Sequence, residues 1–247
     1  MENYLRRSIL AIFGICAIVW AVNAVIVFPG RDRLAQVAQR MLSGERFNAA
    51  QLSAIKNLLA ATPARTLRAS DLSNAAMVRL WLWDDELKLG QRPPASDLVE
   101  LQTAVGAAID QSPSNSFMWL TDLWVKLRKG EFVDRDWNLL RMSYQSGPND
   151  AWIAVRRNSL AVGVFQSLPD DLAEQALLEF ARLVRSGFYS DAANILAGPG
   201  WAFRDKLLSR LVQIDEADRR AFAKVLESKN LDGVTVPGVD EKPTHPF

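Results

Sequence analysis

The chain has 247 residues, of which 49% are hydrophobic, and its 29 basic residues against 28 acidic ones leave a net charge of +1. This balance excludes binding to duplex nucleic acid, because such a protein needs a basic excess to displace counterions from phosphates. The single histidine, His245, and the single cysteine, Cys16, exclude disulfide frameworks, His/Cys metal sites and histidine-based catalysis, so we expect no metal and no cofactor.

The first feature along the chain is an uncharged apolar run from Ser8 to Phe28. Its roughly 21 residues would extend about 31 Å as a helix, which matches the hydrocarbon thickness of a bilayer. Asn23 is its only strongly polar side chain and could hydrogen-bond to another helix. The run therefore predicts a single transmembrane helix over residues 8–28, preceded by a short head over residues 1–7.

A cleaved signal peptide is the alternative interpretation, with Arg6 and Arg7 as its positive region. The apolar run continues to Phe28, which favours an uncleaved anchor. A seven-residue head is typical of a signal anchor with a cytosolic N-terminus. We therefore expect a bacterial inner-membrane protein whose C-terminal domain lies in the periplasm.

Helical patterns and short breaks alternate through residues 31–230, the predicted helical-repeat domain. The predicted helices cover residues 34–42, 52–59, 70–89, 96–110, 115–129, 134–145, 149–165, 169–186, 190–197, 201–212 and 216–228. No segment alternates with a period of two between hairpin turns, so the predicted fold is all-α. The short connections predict antiparallel helix hairpins.

Two Pro-Asn helix starts, Pro113 to Asn115 and Pro148 to Asn149, lie about 35 residues apart, which is a typical repeat length. Each is followed by a tryptophan, Trp119 or Trp152. Over residues 115–187 the chain resembles the tetratricopeptide family. This resemblance implies an α-solenoid of helix hairpins, an architecture that commonly binds other proteins. Beyond the helices, residues 231–247 contain three prolines and are predicted to form a flexible tail.

The chain contains eight tryptophans, which makes these side chains the main candidates for contacts with a ligand. Most are expected to pack between helices, because each buries a large apolar area. Trp81 and Trp83 cannot share one helix face, so one of them should point toward a second layer, the membrane surface or a partner. The candidate contacts to a partner or glycan are Trp81, Trp83, Trp119 and Trp152.

The charged clusters suggest no catalytic residue. Asp134, Asp136, Asp170 and Asp171 fall at helix starts, where carboxylates cap free amide groups. The remaining clusters are predicted to be solvated helix faces: Asp84–Glu86, Arg156–Arg157 and Arg219–Arg220.

The leading hypothesis is a membrane-anchored scaffold or adaptor that binds other membrane or envelope proteins. A setting in envelope polysaccharide biosynthesis or secretion rests on analogy alone. The alternative is a periplasmic carbohydrate-binding protein, which requires at least two exposed tryptophans in one groove. An enzyme that uses carboxylates alone is a third possibility.

Overall fold

A computed structural model describes residues 13–20, 33–41, 43, 45–61, 68–231 and 233–239. The chain divides into two compact units, residues 1–113 and residues 114–247. The sequence had predicted one repeat domain over residues 31–230. The described residues form helices and no strand, which confirms the all-α prediction.

The predicted transmembrane helix is contradicted. Within residues 8–28 the structure describes only a helix over residues 13–20, and the rest of the predicted span, including Ser8, Asn23 and Phe28, lies outside the described residues. No helix in the described part of the chain is long and apolar enough to cross a membrane. The assignment as a single-pass inner-membrane protein is corrected on this ground.

The first unit contains five helices in its described residues. They are α1 (residues 13–20), α2 (residues 33–41), α3 (Ala49–Ala61), α4 (Ala69–Lys88) and α5 (Ala95–Gln111). Helices α2, α3 and α4 share one hydrophobic core, which includes Leu34, Ile55 and Val78. Helix α5 packs along α4 as the second arm of a hairpin. This core fixes α3 beside α4.

The second unit is built from consecutive helix hairpins. Its helices are α6 (Ser116–Lys129), α7 (Trp137–Ser146), α8 (Ala151–Gly163), α9 (Asp170–Arg185), α10 (Tyr189–Ala197), α11 (Arg204–Ser209) and α12 (Glu216–Ser228). Helix α6 packs on α7 and α8 packs on α9, while α6, α8, α10 and α12 contact one another in sequence. These contacts pair consecutive helices of the second unit and place every second helix against the next but one. The tetratricopeptide resemblance itself stays a prediction.

Local capping explains several helix ends. The Asn115 side chain accepts a hydrogen bond from the Phe117 amide at 3.2 Å, and Gly130 ends α6 with a left-handed φ of 69°. Both residues were predicted to bound this helix. The last helix begins at Glu216 and ends at Ser228, as predicted.

The tail that follows α12 is partly packed. Val236 is buried, and Arg219 Nη1 donates a hydrogen bond of 2.7 Å to the Pro237 carbonyl oxygen. Residues 233–239 are therefore held against α12, although the sequence predicted a flexible tail from residue 231. Residues 240–247, with His245, lie outside the described residues.

A fully buried arginine joins three helices of the second unit. Arg157 on α8 donates to Glu179 Oε1 from Nε at 3.0 Å and from Nη2 at 2.6 Å. Its Nη1 donates to the Ser143 carbonyl oxygen at 2.7 Å, and Nη2 donates to the Gly147 carbonyl oxygen at 3.2 Å. These carbonyls lie at the C-terminal end of α7, where the Ser143 oxygen also accepts from the Gly147 amide at 3.3 Å. Arg157 therefore caps α7 while it is paired to α9.

The prediction that Arg156 and Arg157 both lie on a solvated face is thus wrong for Arg157. Arg156 is exposed, whereas Arg157 has a relative exposure of 0%. The buried residues of α8 recur at a helical period, and Arg157 falls within this buried stripe together with Ile153, Ala154 and Ala161. A charged residue inside an apolar stripe is the sequence signal that indicates a buried ion pair.

Candidate functional site

The first unit contains a groove of about 820 Å³. It lies between the N-terminal half of α3 and the C-terminal half of α4. Its apolar lining comes from Phe47, Leu52, Trp81, Leu82 and Leu89. Leu89 is 64% exposed, which is a large apolar side chain to leave in contact with water. The groove therefore presents an apolar surface for which the described residues provide no cover.

One wall of the groove is held in place by aromatic packing. The rings of Phe47 and Trp81 meet edge to face with centroids 5.4 Å apart. The Arg40 guanidinium lies over the Phe47 ring at 5.0 Å and donates from Nε to Glu45 Oε2 at 2.7 Å. A second contact joins Arg40 Nη2 to Glu45 Oε1, and this hydrogen bonding lowers the pKa of Glu45. These contacts hold Glu45 against α2 and Phe47 between Arg40 and Trp81.

The N-terminus of α3 is fixed by reciprocal capping. The Gln51 amide donates to Asn48 Oδ1 at 2.9 Å, and the Asn48 amide donates to Gln51 Oε1 at the same distance. This is a capping box, which satisfies two amides that the helix leaves unpaired. It fixes the start of α3, the half of the helix that lines the groove.

The charged residues that line the groove are mostly paired. Lys56 Nζ on α3 lies 2.6 Å from Glu86 Oε1 on α4, so this ion pair bridges the two helices. Lys88 pairs with Asp84 at 2.6 Å within α4. Among the described residues, Arg46 and Asp85 line the groove without an ion-pair partner. The lining is therefore close to neutral, and Arg46 and Asp85 are its one positive and one negative group outside ion pairs.

The structure separates the four candidate tryptophans. Trp81 lines the groove, whereas Trp83, two residues further along α4, is buried. This agrees with the expectation that the two side chains serve different surfaces. Trp119 and Trp152 belong to the second unit, where Trp152 is 42% exposed and packs on Phe117 with ring centroids 4.8 Å apart. Of the four, only Trp81 lines this groove, so the groove lacks the second tryptophan that the carbohydrate hypothesis requires.

Two of the four carboxylates at the predicted helix starts, Asp136 and Asp171, are held in ion pairs. Asp171 accepts two hydrogen bonds from Arg141, at 2.8 and 2.9 Å, which lower the pKa of Asp171. Asp136 is buried, which opposes ionisation, but hydrogen bonds from Lys126 and from the Val133 amide outweigh burial and lower its pKa. A general acid needs a raised pKa, so neither carboxyl has the property that such catalysis demands.

Replacing Asp136 by asparagine is expected to lower the free energy of unfolding by about 1–2 kcal/mol at pH 7, because the ion pair with Lys126 is lost. The pKa of Asp136 is depressed in the folded chain, so its stabilising contribution is present above its unfolded pKa of about 3.9. That contribution is lost as the pH falls through the folded value. Urea unfolding at pH 7 and at about pH 3 should show the difference between wild type and Asp136→Asn shrink.

Asp134 provides the matched control, because it is exposed in the same turn. Asp134→Asn should change the unfolding free energy by less than about 0.5 kcal/mol at either pH. A penalty for Asp136→Asn that does not change with pH would contradict this assignment.

The buried polar cluster around Arg157 was missed by sequence reasoning. Tyr144 lies against Arg157, with the guanidinium carbon 4.3 Å from the ring centroid, and Asn158 Nδ2 donates to the Ala176 carbonyl oxygen at 2.7 Å. Burial and the neighbouring Glu179 carboxylate raise the pKa of Tyr144 well above its usual value, and burial also raises the pKa of Glu179. The contacts of this cluster are made to neighbouring helices, so we assign it a structural role.

No cluster of potential metal ligands occurs among the described residues. Comparison with known proteins found no matching family model, no similar curated protein and no similar solved structure.

Proposed function

We propose that this protein is a helical-repeat adaptor and that the groove between α3 and α4 binds a segment of a partner protein. The observation that carries the proposal is the apolar lining of the groove, in which Leu89 is exposed and Trp81 is partly buried. Water solvates polar surfaces well, whereas covering clustered apolar side chains with a partner removes them from water and lowers the free energy of the complex.

Contacts between the walls of the groove support this role. The ion pair between Lys56 and Glu86 ties α3 to α4, and the Phe47 and Trp81 rings fix the wall. A site that is ordered before binding loses less conformational entropy on association, so more of the contact energy appears as affinity.

Site-specific photo-crosslinking in the native host tests the proposal. A photoreactive amino acid at position 89 should give a discrete crosslinked species with another protein, whose attached segment can be identified by mass spectrometry. The matched control is position 99, because Val99 is also an exposed apolar residue of the first unit but does not line the groove.

The proposal requires that the variant labelled at position 89 forms this crosslinked species and that the variant labelled at position 99 does not. Equal crosslinking at both positions, or none at position 89, would contradict a partner-binding role for the groove.

A further inference from the structure

We infer that the groove binds an amphipathic helix of a partner protein that places a carboxylate against Arg46 and a cation against Asp85. This inference rests on the proposed function and specifies the chemistry of the partner. Three observations carry it: the apolar lining, the absence of a strand from the described residues, and the two lining charges without an ion-pair partner.

A helical occupant follows from backbone hydrogen bonding. An extended peptide usually binds by adding to the edge of a sheet, where its amides and carbonyls find partners. The groove is instead lined by α3, α4 and the residues that flank them, and no strand among the described residues offers an edge to it. An extended segment seated on Leu52, Trp81 and Leu89 would leave its own backbone groups facing apolar side chains, which is costly. A helix satisfies those groups internally and presents apolar residues at every third or fourth position.

The expected charges of the occupant follow from which charged residues of the lining are already paired. Lys56 is paired with Glu86, and Lys88 is paired with Asp84, so these groups already have partners of opposite charge. Arg46 is exposed and Asp85 is partly exposed, and neither forms an ion pair with a described residue. An occupant with opposite charges near these two positions gains attraction, and one with the same charges is repelled.

Selection from a displayed library of random 16-residue peptides against the full-length chain tests the inference. Peptides enriched on the wild type should repeat apolar residues at positions i, i+3 or i+4, and i+7, with an acidic and a basic residue outside that stripe. When the Arg46→Glu variant is the bait, the enriched peptides should carry a basic residue in place of the acidic one. When the Asp85→Lys variant is the bait, they should carry an acidic residue in place of the basic one.

Synthetic peptides from the wild-type selection provide the quantitative test. Arg46→Glu should weaken their binding by about 5- to 10-fold at low ionic strength, with a smaller loss at high salt. The matched controls are Arg92→Glu and Asp110→Lys, two exposed residues of the same unit that do not line the groove, and these should change binding less than twofold.

The outcomes separate this inference from the proposed function. The groove remains a binding site if the enriched peptides lose binding to Leu89→Gln. The charge inference is overturned if peptides selected on Arg46→Glu and Asp85→Lys carry the same charges as those selected on the wild type. Peptides that bind the groove without helical periodicity would overturn the helical occupant. If no enriched peptide is sensitive to Leu89→Gln, the proposed function falls together with the inference.

Discussion

Replacing Arg157 by leucine should lower the free energy of unfolding of the second unit by about 3–5 kcal/mol, the largest effect expected in this chain. The substitution leaves the buried Glu179 carboxylate without its ion-pair partner. It also removes the hydrogen bonds that Arg157 donates to the Ser143 and Gly147 carbonyl oxygens at the end of α7. Denaturant unfolding followed by circular dichroism measures the loss. Hydrogen exchange should show the C-terminal turn of α7 among the segments that become less protected.

Arg156→Leu is the matched control, because it removes the neighbouring arginine from the exposed side of the same helix. It should change the unfolding free energy by less than about 0.5 kcal/mol. The double variant Arg157→Leu/Glu179→Leu should be more stable than Arg157→Leu alone, because it removes the uncompensated charge. Equal effects of Arg157→Leu and Arg156→Leu would contradict the buried ion pair.

The second large effect is expected at Gly147, which lies where α7 meets the start of α6. A Cβ atom at this position would lie 2.5 Å from Ser116 Cβ and 2.8 Å from Asp150 Oδ2. These distances are too short for real atoms, so the surrounding helices would have to separate. Gly147→Ala should therefore destabilise the second unit by about 1–3 kcal/mol, as overpacking of a dense core does. Thermal unfolding measures the change as a lower midpoint.

Gly163→Ala is the control for this prediction. A Cβ atom at Gly163 would have Pro199 as its nearest neighbour at 3.7 Å, an ordinary van der Waals distance. Because alanine also favours the helix, Gly163→Ala should leave stability unchanged or raise it by up to about 1 kcal/mol. A destabilisation of similar size at both glycines would show that steric crowding at Gly147 is not the cause.

Much of the helical architecture could be predicted because it depends on local signals. Asn115 and Gly130 bound α6 through hydrogen bonds and backbone angles within a few residues of each end. The apolar period places helix faces toward a core, and short connections bring successive helices together. These effects need no knowledge of distant parts of the chain.

The buried cluster depends on distant residues, which is why it was missed. Glu179 lies 22 residues from Arg157, and Ser116 lies 41 residues from it. Adjacent arginines in a sequence resemble a solvated face, and only the register of Arg157 with the buried face of α8 indicates otherwise. Glu179 lies in the same way among the buried residues of α9.

The candidate groove could be predicted only in part. The spacing of Trp81 and Trp83 indicated that one of them leaves the core, but the second wall comes from Phe47 and Leu52, which a separate helix start brings into place. For the apolar run over residues 8–28, by contrast, the sequence predicted a feature that the structure contradicts. Its length and composition fit a membrane span, yet the described part of the chain has no helix that could form one.

The affinity of the crosslinked partner segment for the full-length chain tests the adaptor proposal most directly. Leu89→Gln should weaken binding about tenfold or more, because burial of a leucine side chain contributes about 1.5–3 kcal/mol. Val99→Gln makes the same substitution at an exposed site outside the groove and should change the Kd less than twofold. Equal Kd values for Leu89→Gln and wild type would contradict the claim that this groove is where the protein binds its partner.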